Sequence, residues 1–318
     1  MKKSATIDAL RAASVLYIVG FWHALGYTTV APGYPNAITH RLTVVVLGLF
    51  VFLSGYLLAT KDVSSREDVA AFYRRRLLRI WPLYISAMIV FVLLGLIPQN
   101  TAILSAFGAS MFYGEQPMTL WFIAMLLIFY ALAPLLIRIS KAPLVFCICS
   151  AALFMLAARY AADPRVAIYF PAFALGVFAS RHRASVNALP RTFLILAGLV
   201  SILVSALSSG NPEHKLASAS MAAVVPLLVL LLVEKVEFRP TLIRWASVLS
   251  YSGFAMYLFH RPIYMAYAAF LPASPFGQLL IIWGLALPTI IAISYGIQAA
   301  YDRLTEPRSL AIRNSIPQ

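Results

Sequence analysis

The sequence predicts an all-α, polytopic membrane helix bundle of about ten transmembrane helices with both termini cytoplasmic. Three observations carry that expectation: the composition, the recurrence of apolar windows of bilayer length, and the alternation of basic charge between successive loops. Of the 318 residues, 62% are hydrophobic and only 11% charged, whereas a soluble domain carries about 25% charged residues. A water-solvated core of this length cannot hide so much apolar surface, so the solvent must be lipid. No polar stretch is long enough for a separate soluble domain, and residues 1–318 read as a single integral-membrane domain.

A helix needs about 20 mainly apolar residues to cross the hydrocarbon. Such windows fall at 8–28, 42–60, 80–98, 118–137, 143–160, 166–180, 192–208, 216–233, 247–271 and 276–301, the sixth being the shortest. Turn and breaker residues part them, among them Pro32-Gly33, Pro98, Pro117, Pro143, Pro164, Pro190, Asn211-Pro212, Pro240 and Pro272 to Pro275. The opening Met-Lys-Lys superficially resembles a signal peptide. Asp8 and Arg11 interrupt the apolar run that follows, and no small-residue cleavage site ends it, so a retained first helix is expected.

The net charge is +14. In a soluble protein this would suggest a nucleic-acid partner; here positive-inside topology accounts for it, with basic loops facing anionic cytoplasmic lipid, and no nucleic acid is expected. With the N-terminus inside, the inner segments hold 19 of the 25 lysines and arginines and the outer segments four: Arg41, Arg159, Arg165 and Lys215. A single missed or invented helix would scramble this pattern downstream. Cys147 and Cys149 stand two apart and so do not share a helix face. They read as small buried hydrophobes, with no metal site or disulfide expected. No inverted repeat is visible, which argues against the common transporter architectures.

Ionisable residues inside the apolar windows are functional candidates because burying them in lipid is costly. Arg11 falls near the inner end of the first window and His23 in its outer half, roughly 18 Å apart along an ideal axis. His260 falls at a similar depth in the ninth window, which leaves two readings for the histidines: residues lining one chamber, or two unrelated polar contacts. Arg75, Arg76 and Arg79 share roughly one face at the inner entry to the third helix. Guanidinium groups there suit either lipid headgroups or the phosphates of a coenzyme A donor, and Pro82 one turn later invites a kink. The small residues of Gly48 to Gly55 suggest close helix packing or close approach to a ligand, packing being favoured.

These residues, in this order, resemble the membrane-bound acyltransferase 3 family. The likeness runs over almost the whole chain: Ile7-Asp8-Ala9-Leu10-Arg11 through His23, Gly48 to Leu57, and Arg75-Arg76-Leu77-Leu78-Arg79-Ile80-Trp81-Pro82. It continues through Leu120-Trp121-Phe122 with Phe129-Tyr130, then Tyr257-Leu258 with His260-Arg261-Pro262, and closes on Tyr301 with Thr305-Glu306-Pro307. Each motif alone is weak; six in order are specific.

The resemblance implies O-acylation of glycans or other exported molecules at the cytoplasmic (inner) membrane. It implies acyl-CoA, most simply acetyl-CoA, as donor substrate, with no permanently bound cofactor. His23 and Arg11 carry over as the catalytic pair. Arg76 and Arg79, with Arg75, Trp121, Tyr257, His260 and Arg261, are the candidate donor- and substrate-binding residues. His23 would act as general base or be transiently acylated, with Arg261 or Tyr257 donating to the oxyanion.

Two departures stand out. Eleven residues separate Arg11 from His23 where the family has ten; one extra residue turns an ideal helix by about 100°, and a bulge near Gly20 would restore the face. Many members also carry an acid in the fourth helix. Trp121 is here followed by Phe122 and no acid, which brings the chain nearer the subset resembling fucose and exopolysaccharide O-acetylases, with Glu115 as a substitute acid. The alternative from another class is a transporter or flippase of a lipid-linked glycan; a third is a non-catalytic sensor.

Overall fold

The computed structural model describes residues 5–305, so Glu306 and Pro307 of the closing motif lie outside the described residues. All regular structure among the described residues is helical. In chain order the helices are α1 (Ala5–His23), α2 (Ala37–Leu58), α3 (Arg66–Leu93), α4 (Gln99–Ala106), α5 (Met118–Ile139) and α6 (Pro143–Tyr160). There follow α7 (Arg165–Arg181), α8 (Arg183–Asn187), α9 (Arg191–Leu207), α10 (Ala219–Val233), α11 (Pro240–Ala268) and α12 (Pro275–Thr305). Helix covers every one of the ten apolar windows. Seven helical segments are long and apolar enough to cross a membrane; α7 and α9 have 17 residues each, and α11, though 29 long, is not in that set.

Local sequence sets the boundaries. Asn36 caps α2, its side chain accepting from the Ile38 and Thr39 amides while Thr39 answers with its hydroxyl. Ser65 and Asp68 form the same reciprocal box at the start of α3. Prolines lie inside α3, α5, α7, α10 and α11, and each removes one ladder hydrogen bond. Pro82 cannot donate to the carbonyl of Leu78, four residues earlier; the Tyr301 hydroxyl of α12 donates to it instead.

Packing divides the bundle into two tightly joined groups, α2 with α7 and α10, and α1 with α11 and α12. The first group closes on glycines. A Cβ on Gly55 would sit 2.3 Å from the Phe173 carbonyl oxygen, one on Gly176 would sit 2.1 Å from that of Phe52, and one on Gly48 would sit 2.3 Å from that of Ala222. The small residues of the second window therefore serve helix packing. The shortest window, α7, is the centre of the bundle, buried from Val166 to Ala179.

Loop contacts sort into two sets. At one end Arg138 donates to the carbonyls of Val63, Ser64 and Ser65, Lys141 and Arg181 share Asp62, and Arg183 pairs with Glu234. At the other end His40 meets Glu213, Arg41 donates to Ser205, and Thr29 donates to Gln278. The Lys141 ammonium, with the Ser64 hydroxyl, holds the Asp62 carboxyl down to about 2.

Two outcomes follow from this packing. Gly176→Ala drives a methyl into the α2 backbone and should cost about 1–3 kcal/mol, read as a lower thermal midpoint of the detergent-solubilised protein. Gly296→Ala, whose Cβ meets nothing within 4 Å, should not lower it. Asp62 has a folded value depressed below its unfolded value of about 3.9. Its contribution is complete above about pH 4 and is lost as the pH falls toward about 2. The midpoint gap between the native chain and Asp62→Asn should therefore be present at neutral pH and close across that acid window.

Candidate active site

The site begins with an irregularity in α1. Ala5–Tyr17 is α-helical, but Ile18–His23 is a π-helix, the widened turn that accommodates one extra residue. The bulge falls around Gly20, where the eleven-residue spacing demands it. It is braced by side chains from the last two long helices: the Tyr264 hydroxyl donates to the Val19 carbonyl at 3.1 Å, and Trp283 Nε1 donates to the Gly20 carbonyl at 2.7 Å. Trp283 itself stands in a second π-helix, Leu280–Ala286.

With the turn so set, His23 meets His260 of α11. The two imidazoles are stacked, centroids 4.7 Å apart and planes within 7°. His260 is fully buried, and its Nδ1 lies 2.8 Å from the Tyr257 carbonyl and 3.2 Å from that of Met256. Carbonyls only accept, so Nδ1 carries a proton. In the neutral ring this leaves the lone pair on Nε2, which is buried without a partner, as is Nδ1 of His23. The Arg261 side chain follows directly, partly buried, its Nε also without a partner.

Tyr257 stands beside His260, and Phe122 links it to Trp121, so neither side chain is a free group. The Tyr257 ring lies 6.0 Å from His260 and 5.4 Å from Phe122. Its hydroxyl proton is committed to the Thr119 carbonyl at 2.6 Å, so of the two oxyanion donors considered from the sequence, Arg261 is the one with N–H capacity to spare. Trp121 is 7% exposed, with the Arg165 guanidinium 3.8 Å over its ring. Asp163 grips that guanidinium through both carboxylate oxygens at 2.9 Å from Nε.

The arginines gather elsewhere. Arg11, Arg76 and Arg79 lie within one another's electrostatic reach, beside Tyr130. Arg76 is half-buried, and Arg75 and Arg79 are exposed. None forms an ion pair with a carboxylate among the described residues. Arg11 forms no ion pair with Asp8, three residues earlier: Asp8 is buried and accepts a hydrogen bond from Ser250 at 2.8 Å. Glu115 is exposed and forms no ion pair among the described residues, while Glu213 is the acid that meets a histidine, His40, at 2.6 Å. A cavity of about 600 Å³ between the ends of α2, α5 and α7 contains none of the predicted residues, and its cations Lys141, Arg181 and Arg183 are already paired.

The family profile of the acyltransferase 3 group, described as an acyltransferase domain, matches residues 4–298. The chain belongs to the acyltransferase 3 family. Comparison with curated proteins and with solved structures finds no match. Family membership makes the chain a membrane acyltransferase, and the multi-pass helical character agrees with it. Sequence reasoning missed Asp163 with Arg165, Tyr264 and Trp283. Arg165 carried a signal, being one of the few basic residues in a predicted outer segment.

The Asp163–Arg165 clamp is testable directly. Asp163→Asn weakens a charge-assisted hydrogen bond and should cost about 1–3 kcal/mol, seen as a lower thermal midpoint together with a change in tryptophan emission as the guanidinium leaves Trp121.

Proposed function

We propose that this protein is an O-acyltransferase of the cytoplasmic membrane that moves an acetyl group from cytoplasmic acetyl-CoA to a hydroxyl of a carbohydrate or exported glycan. One observation carries the reading: a single helix, α1, presents Arg11 to an arginine group without carboxylate partners and His23 to a stacked histidine. Like charges gathered with no carboxylate in ion-pair contact favour an anionic ligand, and the coenzyme A phosphates supply one for Arg75, Arg76 and Arg79. The roughly 18 Å from Arg11 to His23 is the path for the donor's pantetheine arm.

In this reading the thioester comes to rest beside His23. The imidazole takes the proton of the acceptor hydroxyl as its oxygen attacks the thioester carbonyl. Arg261 stabilises the oxyanion. Collapse expels the coenzyme A thiolate, which takes up the proton held by His23, and the ester forms on the acceptor. His260, with its tautomer held by Tyr257, keeps the His23 ring in plane.

Ten spans with both termini cytoplasmic are part of the proposal. It is supported by helix over every apolar window and by loop contacts that sort into the two sets the topology requires. The missing acid after Trp121 favours an acceptor of the exopolysaccharide kind. The transporter alternative draws no support from the family match.

The test is transfer of labelled acetyl from acetyl-CoA in purified membranes. Label should enter a glycan fraction with the native chain, fall by on the order of 10²–10⁴ with His23→Ala, and require far more donor with Arg76→Ala. Undiminished transfer by His23→Ala would remove its role, and no transfer by the native chain from acetyl-CoA or longer acyl-CoA would sink the reading.

A further inference from the structure

We infer that Trp283 and Tyr264 are positioning residues that hold the π turn of α1, and thereby fix where His23 points; the inference rests on the reading of His23 as the reacting base. Four observations converge on it. The π-helix Ile18–His23 ends on His23 itself, so any change in its winding rotates that ring. Two of its carbonyls, Val19 and Gly20, accept side-chain hydrogen bonds from outside α1. The donors come from separate helices, α11 and α12, and Trp283 is aimed by a π turn of its own. Tyr264 is fully buried, and its ring stands edge-on to His260 at 6.2 Å, so one side chain touches both the turn and the partner of the histidine stack.

The chemistry explains why such a clamp is required. A π turn is uncommon and less favourable than the α-helix around it, and side-chain donors to its carbonyls stabilise it where no water is at hand. Tyr264 and Trp283 supply an O–H and an N–H at those two oxygens. Gly20 lets α12 close in, since a Cβ there would lie 3.3 Å from Leu287. Without the two donors the turn is free to rewind toward regular α geometry, which would swing His23 off His260. Neither residue reaches the reacting atoms; both act through the backbone of residues 19 and 20.

The experiment uses the full chain in detergent or membranes with Tyr264→Phe, which deletes one oxygen, and Trp283→Phe, which deletes the N–H. Two readouts separate the inference from the reading beneath it. The first is carbethoxylation of His23, followed by mass spectrometry against exposed His214 as internal reference. Both variants should raise His23 reactivity several-fold, with no change at His214. The second is acetyl transfer per folded molecule, where kcat should drop on the order of 10–100-fold with the acetyl-CoA KM unchanged. A purely structural role would lower the folded yield and leave both readouts as in the native chain. Unchanged His23 reactivity in folded Tyr264→Phe and Trp283→Phe would overturn the clamp. Altered reactivity in a chain that transfers no acetyl would support the clamp and overturn the proposed function instead.

Discussion

A backbone carbonyl in a bilayer has no water to turn to, and leaving one unpaired costs several kcal/mol. That constraint organises this bundle. Pro82 frees the Leu78 carbonyl, and Tyr301 of a distant helix donates to it. Pro226 frees the Ala222 carbonyl, four residues back, and Gly48 of α2 brings its backbone so near that oxygen that a Cβ there would lie 2.3 Å from it. The π turn of α1 draws Tyr264 and Trp283, and the Thr119 carbonyl at the head of α5 draws Tyr257. In each case an irregularity in one helix is completed by a residue far away in sequence, so the cost of the irregularity becomes a tertiary contact with a defined partner.

This has a consequence for the site. The stacked histidines span α1 and α11, with Tyr264 and Trp283 of α11 and α12 on one side, while Trp121 of α5 and Arg165 of α7 stand farther off, behind Phe122 and Tyr257. Helices held by interlocked glycines, as α2, α7 and α10 are, give little; a methyl at Gly176 would overlap the Phe52 carbonyl. The orientation of His23 is set instead by hydrogen bonds from α11 and α12. The arginine group is the opposite case: Arg11 and Arg79 repel, and Asp8, an acid within electrostatic reach of Arg11, is hydrogen-bonded to Ser250 rather than ion-paired, an arrangement that an anionic ligand would relieve.

What the sequence revealed was whatever depends on position along an axis. Apolar windows located every long helix, and counting rises put His23 and His260 at one depth, as their stacking bears out. The extra residue before His23 even located the bulge, because only a widened turn absorbs one residue without turning the face. What stayed hidden depends on lateral neighbours. Nothing in the spacing of Tyr264 or Trp283 says that they face Val19 and Gly20, and nothing near Asp8 says that Ser250 rather than Arg11 will answer it. Arg165 looked like an ordinary loop charge until Asp163 folded it over Trp121.

The extra residue of α1 poses a choice that two helices resolve together. Rotating the chain beyond residue 17 by about 100° would carry His23 away from His260 and Val19 away from Tyr264, exposing polar groups to apolar neighbours. Absorbing the residue in a π turn confines the disturbance to Ile18–His23, whose Val19 and Gly20 carbonyls accept hydrogen bonds from Tyr264 and Trp283. The donors come from α12, where Trp283 stands in a π turn of its own, and from α11, which places Tyr264 one turn beyond His260. Register in this helix is thus decided by hydrogen bonding at its far end, much as strand register is decided by the partner strand. The histidine's direction is a property of three helices, α1, α11 and α12, rather than of the one that carries it.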